Sequence, residues 1–434
     1  MSAYREAWRL AWPLILSNLS IPLLGMVDTA VVGHLPSPHY LGAVALGAVV
    51  LNVVYFVFGF LRMGTTGLTA QAFGGSDLTE CRAWLGRGVL LAGVIAIALV
   101  LLASPLIHAA IWLFEPGPRV EGGLEAYFAI RLLGAPAALV TLVLLGWLLG
   151  MQNARGPMAL LIVTNGLNMA LDLLFVLGFG WAVAGVAWAT VCAEYGGLAL
   201  GLWLARTSLG AWSWPAIWRI AAFHRLFAVN RDMFLRSLCL ESAFVTFSAL
   251  GARQGETILA ANAVLLNLHL LATYGLDGFA HAAEAMVGRK VGAGDAPGLR
   301  AAFRANLVLA LALALVLALA FLAFGPPLIL ALTGIADVRA TARIYLPYLI
   351  AAPLVSVWAF LFDGVFVGAT RTAEMRNGMA VSLAVFLLAA WLLVPTWANH
   401  GLWLSFLVLM STRGLWLGVI YARHKPEAWV AARH

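Results

Sequence analysis

The chain has 434 residues, 63% of them hydrophobic and only 10% charged, with a mean hydropathy of +0.94. That composition excludes an ordinary water-soluble globule and points to a polytopic membrane protein. The formal net charge of +7 is spread over arginines in alternate loops instead of one patch, so it reads as membrane topology and not as a nucleic-acid footprint.

Taken in chain order, apolar stretches of about 20 residues or more, enough to cross a bilayer, recur about twelve times. They run near 10–33, 43–73, 84–112, 124–151, 158–178 and 181–205, then 226–252, 257–290, 299–331, 338–368, 375–396 and 400–423. The segments outside them, "MSAYREAWR" and "ARHKPEAWVAARH", are short. The first apolar stretch lacks an A-x-A-like cleavage site and is expected to be retained. Three cysteines, Cys81 in a loop and Cys192 and Cys239 in spans, have neither disulfide nor metal-ligand spacing.

The loops "HLPSPHYLG", "GFGWAVAG" and "PTWANHG" hold no Lys or Arg, whereas Arg82, Arg87, Arg155, Arg206, Arg219, Arg289, Lys290, Arg371 and Arg376 lie in the alternate loops, as do Arg5, Arg9, Arg423 and Lys425 at the termini. By the positive-inside rule both termini are expected in the cytoplasm, with Arg119, Arg253, Arg339 and Arg343 on the other side outnumbered. The two halves also resemble each other. Asn52, Gly64 and Gly74 align with Asn267, Gly278 and Gly288, and Pro136 aligns with Pro353, at about half the chain length. Each half holds an even number of spans, so the repeats are parallel, related by an axis along the membrane normal. The expected fold is an all-α polytopic membrane protein of twelve transmembrane helices in two pseudo-symmetric six-helix lobes around a central cavity. The expected boundaries are 1–205 for the N-terminal lobe, 206–224 for a cytoplasmic connector and 225–434 for the C-terminal lobe.

Ionisable groups inside spans cost several kcal/mol unless they pair or face water, which makes each a functional candidate. Asp28 in "GMVDTAVVGHL" and Asp172 in "TNGLNMALDLLF" fall at one level near the outer ends of the first and fifth spans. Asn165, Asn168 and Asp172 follow an i, i+3, i+7 pattern and share a helix face. Thr190 and Arg131 reach a similar depth. Two carboxylates held close at low dielectric cannot both stay ionised, so the site should take a proton or a small cation, and its oxygens also suit an alkali cation. The bland alternative is that Arg131 is only a structural counter-ion to one of them. The second half carries Glu241, Asp277, Glu284, Asp363 and Arg236. Evenly balanced against a functional role for this set is a bland reading, with Arg236 and Asp232 as a local helix pair and Asp277 and Glu284 as half-exposed helix-end acids. Arg62 lies in the helix matching that of Asp277, at almost the same place, which suggests an interlobe gate between the two.

Together, "PLLGMVDTAVVGHL", "FLRMGTTGLTAQAFGG", "NGLNMALDLLFVLG", "LDGFAHAAEAMVG" and "DGVFVGATRTAEMRNGMA" resemble the DNA-damage-inducible (DinF-type) branch of the multidrug and toxic compound extrusion (MATE) family, nearly end to end. The resemblance implies a twelve-helix antiporter of the bacterial inner membrane that exports cationic or amphipathic compounds using an inward H+ or Na+ gradient. It implies no cofactor, and the transporter is expected to be a monomer. It assigns coupling to Asp28, with Asn168, Asp172 and Thr190 completing the ion site, and suggests a second-lobe ion or substrate site at Glu241 and Asp363. The rival in mechanism is a lipid or lipid-linked-oligosaccharide flippase, which would want a cationic cavity. An enzyme is disfavoured, because His34, His39, His108, His269, His281 and His400 are scattered without ligand spacing.

Overall fold

The computed structural model describes residues 2–33, 37–210, 213–424 and 426–431; His34, Lys425 and residues 211–212 of the connector lie outside them. Among the described residues every element is helical. The first apolar stretch forms α1 (Ala3–Asn18) and α2 (Ser20–Gly33), broken at Leu19. Pro22 explains the break, since it has no N–H for the carbonyl of Asn18 four residues back. Next come α3 (Pro38–Val57), α4 (Phe60–Gly74), α5 (Leu78–Leu101) and α6 (Ala103–Phe114). Cys81, expected in a loop, is buried in α5. Helices α7 (Pro118–Leu133) and α8 (Ala135–Gly150) are bent by 49° at Gly134. Helix α9 (Arg155–Asp172) runs into a π-helical turn, Leu173–Gly178, and α10 spans Ala182–Leu209. The connector shrinks to a short helix α11 (Trp214–Ile217) before α12 (Ile220–Ala252).

The second half has α13 (Glu256–Gly292), α14 (Ala296–Leu332), α15 (Ala336–Gly368), α16 (Thr372–Arg423) and the short α17 (Pro426–Ala431). Among the described residues ten helices are long and apolar enough to cross a membrane, eleven if the bent α7–α8 pair is one span. The 52-residue α16 is itself two helices, because Ala398 has non-helical φ 47° and ψ −126°; the expected loop "PTWANHG" is this single turn, and the twelfth span follows it. Asn399 and Asn262 hold the break by exchanging amide hydrogen bonds of 2.8 and 2.9 Å, and the Trp403 indole donates to Asn262 Oδ1 at 2.9 Å. Phe247, Phe406 and His269 pack around them in a buried aromatic core.

Two compact units result, one of Leu16–Ala72 with Asp77–Arg225, the other of Met1–Ile15, Phe73–Ser76 and Leu226–His434. In the first, α10 packs on α7, α8 and α9, and α2 lies on α9. In the second, α15 packs on α13, α14 and α16. The same close packing of glycines on backbone recurs in both. A Cβ on Gly146 or Gly150 would lie 2.2 or 2.9 Å from the carbonyl oxygens of Arg62 or Thr66, and one on Gly364 or Gly368 would lie 2.1 or 2.5 Å from those of Ala280 or Glu284. Only glycine permits backbones this close. Asp77 and Asp295 cap α5 and α14 alike, accepting from Glu80 N at 2.9 Å and Gly298 N at 2.8 Å.

All these partners are 218 positions apart, four more than the alignment of Gly64 with Gly278 expected from the sequence alone. In the structural register Arg62 matches Ala280, and Asp277 matches Gly59. The repeat therefore gives no reason of its own to pair Arg62 with Asp277. Glycine-rich helices offered several near-equivalent alignments, and the cap and backbone contacts select among them.

Candidate functional site

The polar residues of the first unit converge. Asp28 on α2 and Asp172, the last α-helical residue of α9, bring their carboxyl groups within hydrogen-bonding range. Asp172 is fully buried, and neither of its oxygens has a donor; Asp28 Oδ1 has none either. With both groups ionised the pair consists only of acceptors, and one shared proton makes it a donor and an acceptor. Asn168, one turn back on α9, donates to Thr190 Oγ1 at 3.3 Å, and that hydroxyl donates to the Val186 carbonyl at 3.0 Å. Asn165 donates to Ser20 Oγ at 2.7 Å, which ties α9 to the start of α2. Asp28, Asn168, Asp172 and Thr190 thus form one cluster across α2, α9 and α10. The π-helical turn begins immediately after Asp172, and such turns recur at functional sites.

Arg131 does not bond to either aspartate. Its Nη1 donates to Glu194 Oε1 on α10 at 2.9 Å, although its charge acts on both aspartates. Tyr55 faces the same guanidinium, its ring centroid 5.9 Å away.

In the second unit, Asp363 Oδ2 accepts from Arg413 at 2.8 Å and from Arg236. Arg236 is therefore no local partner of Asp232, which instead accepts from Arg376 at 2.7 Å and from Thr372 at 3.3 Å. Glu241 on α12 is half-buried and makes no bond with Asp363 in the contacts described. A carboxylate gripped by two guanidinium groups is electrostatically unsuited to a third cation. Glu284 is buried at 1% exposure with His281 Nδ1 3.4 Å away, which rules out the bland reading of it as a half-exposed helix-end acid. Arg62 on α4 and Asp277 on α13 are each partly buried, and they belong to different units.

Glu194 and Arg413 were not among the expected site residues. Both are ionisable groups inside predicted spans, the same signal that marks Asp28; what a linear reading could not supply is which cation meets which carboxylate.

A family model described as MatE matches the chain twice, over residues 13–174 and 233–395. "DNA damage-inducible protein F" of Escherichia coli (strain K12) is 44% identical over 441 residues, covering 99% of this chain and 95% of that relative. "Probable multidrug resistance protein NorM" of Caulobacter vibrioides is 28% identical, covering 98% and 92%. A solved structure described as an outward-facing conformation of a multidrug resistance MATE family transporter matches with a TM-score of 0.90 at 18% identity, covering 99% of this chain and 97% of the other. The chain therefore belongs to the multidrug and toxic compound extrusion family, in its DNA-damage-inducible branch, and is a membrane transporter and not an enzyme.

Proposed function

We propose that the chain is a secondary antiporter that exports cationic or amphipathic organic compounds in exchange for protons, with Asp28 as the coupling carboxylate. Na+ is the alternative coupling ion, since the same oxygens would accept it. The observation that carries the reading is the Asp28–Asp172 carboxyl pair, whose buried oxygens have no donor but a proton. Asn168 and Thr190 complete its polar shell. The break at Leu19, next to Pro22, supplies the mechanical side: a helix already short of a hydrogen bond bends at low cost. When Asp28 is ionised it binds the polar shell or a cationic cargo. When it is protonated those contacts weaken, α2 repositions and the cargo loses its counter-charge. Proton entry and cargo exit then compete for one group, which is the differential affinity that exchange requires.

In this reading the lobes are 1–205 and 225–434, joined by 206–224, and they alternate access to the two sides of a bacterial inner membrane with both termini cytoplasmic and a single chain as the working unit. A gate between Arg62 and Asp277 is kept as part of the proposal, on opposite charge alone. The flippase reading is weaker, because the buried arginines a phosphate headgroup would need are occupied, Arg131 by Glu194 and Arg236 and Arg413 by Asp363. The test is ethidium efflux from proteoliposomes under an imposed pH gradient, an imposed Na+ gradient and neither. Efflux that follows only the Na+ gradient would reassign the coupling ion, and efflux indifferent to both would reject antiport.

A further inference from the structure

Glu194 lies mostly buried against Arg131, and the exchange as described makes no use of it. Its salt bridge to Arg131 is 2.9 Å long, with side chains 14% and 10% exposed. The bridge sits at the 49° bend between α7 and α8. Arg131 is in the last turn of α7, and a Cβ on Gly134 would come 1.9 Å from Glu194 Oε2. Glycine at the bend is what leaves room for this carboxylate. Tyr195, the next residue on α10, donates its hydroxyl to the Leu133 carbonyl at 3.0 Å. Two successive side chains of α10 thus grip the end of α7.

The ionisable groups that interact with Arg131 come from five helices. They are Tyr127 on its own helix, Tyr55 on α3, Asp28 on α2, Asp172 on α9 and Glu194 on α10. Helix α8 contributes none. Glu125, Arg155 and Arg206 are on the same helices but about 9 Å or more along the axis at 1.5 Å per residue. Three carboxyl groups therefore share one guanidinium among the described residues at this depth. Glu194 holds it by a direct hydrogen bond, while Asp28 and Asp172 feel it only through space.

We propose that Glu194 is a positioning residue for the exchange: by holding the Arg131 guanidinium it keeps that charge from binding the Asp28–Asp172 pair, so the pair takes up and releases its proton in the pH range where the membrane gradient operates. The inference rests on the reading of that pair as the coupling site. Removing the carboxylate leaves Arg131 as an unmatched buried cation whose nearest remaining anions are Asp28 and Asp172. The pair then stays ionised to more acidic pH. A nearby opposite charge favours the ionised form of a carboxyl group, typically by roughly one to three pH units at contact, so a freed Arg131 that is near but not bonded should move the midpoint by roughly one to two.

The experiment uses the full chain in lipid and reads the protonated-carboxyl stretch by infrared difference titration, with the band of the pair assigned as the part lost in Asp28→Asn. In Glu194→Gln the midpoint of that band moves one to two pH units to the acid side. Glu194→Asp, which keeps the charge but withdraws it by one methylene, moves it part of the way. Glu194→Gln with Arg131→Gln returns it to within half a unit of the wild type. A midpoint unchanged in Glu194→Gln overturns the proposal, as does a loss of folded protein with no shift in Glu194→Asp. If Asp28→Asn removes no band, the coupling reading itself has failed; if it does and the Glu194 variants titrate like the wild type, only this inference has.

Discussion

The break at Ala398 that divides α16 into two spans is held by buried amides, and its contribution can be worked out. Replacing Asn262 with Leu removes three hydrogen bonds of 2.8–2.9 Å and leaves the Asn399 amide N–H, the Asn399 carbonyl and the Trp403 indole N–H without partners. Asn399 and Trp403 are fully buried, so no water replaces the lost partner. At about 1–2 kcal/mol for each unmet group the loss is about 3–6 kcal/mol. Removing both amides in Asn262→Leu with Asn399→Leu leaves only the indole unmet, because replacing both partners with apolar groups of similar size is nearly neutral. The assay is thermal unfolding of the purified transporter in detergent at one scan rate, since large membrane proteins unfold irreversibly. The single variant should unfold at least about 5 °C below the wild type, and the double variant should recover half or more of that. A double variant no more stable than the single one would refute the view that unpaired amides, and not lost packing, set the effect.

Ala398→Gly should stabilise the protein by about 1 kcal/mol in the same assay, because φ 47° with ψ −126° strains a residue with a Cβ by about 1–3 kcal/mol while glycine loses up to about 1 kcal/mol in chain entropy. Gly146→Ala and Gly364→Ala should each lower the yield of monodisperse protein and cost about 3 kcal/mol, since the new Cβ would sit 2.2 and 2.1 Å from a backbone oxygen; Gly166→Ala, with nothing within 4 Å, should be neutral or stabilising by up to about 1 kcal/mol. Asp295, in the loop before α14, is held below the ordinary carboxylate range by its hydrogen bond from Lys290 and then by the Gly298 N–H. Its contribution is therefore present above that range and lost as pH falls through the lowered value. At 37% side-chain exposure solvent screening limits it, so Asp295→Ala should cost no more than about 1 kcal/mol at neutral pH and nothing in strong acid, as read from denaturation midpoints across pH.

Much of this was legible in the sequence because lipid imposes a simple code. Apolar runs of span length and rare intramembrane acids each follow from the cost of polar groups in hydrocarbon. The helical spacing of Asn165, Asn168 and Asp172 placed them on one face, and the structure brings that face to Asp28 and Thr190. Pairing was less legible. Arg236 has an acid four residues earlier, yet it reaches Asp363, 127 positions later, since tertiary partners in a bundle outcompete a local pair when both can be buried. Arg131 bonds to Glu194 instead of to either aspartate, a choice between tertiary partners that spacing along the chain does not encode. The repeat register slipped by four residues because small residues at helical spacing align with themselves one turn out of step, and only the capping aspartates and the glycine contacts break that degeneracy.

The most direct test of the central claim compares wild type with Asp28→Asn at matched amounts in proteoliposomes, with ethidium efflux driven by a pH gradient. The amide introduced by this substitution keeps the shape of the protonated side chain but can neither release a proton nor offer a counter-charge. The account therefore predicts folded protein whose efflux no longer responds to the gradient, with Asp172→Asn close behind and Thr190→Ala only weakened. Gradient-driven efflux by Asp28→Asn at the wild-type rate would contradict the account and remove this carboxylate from the mechanism.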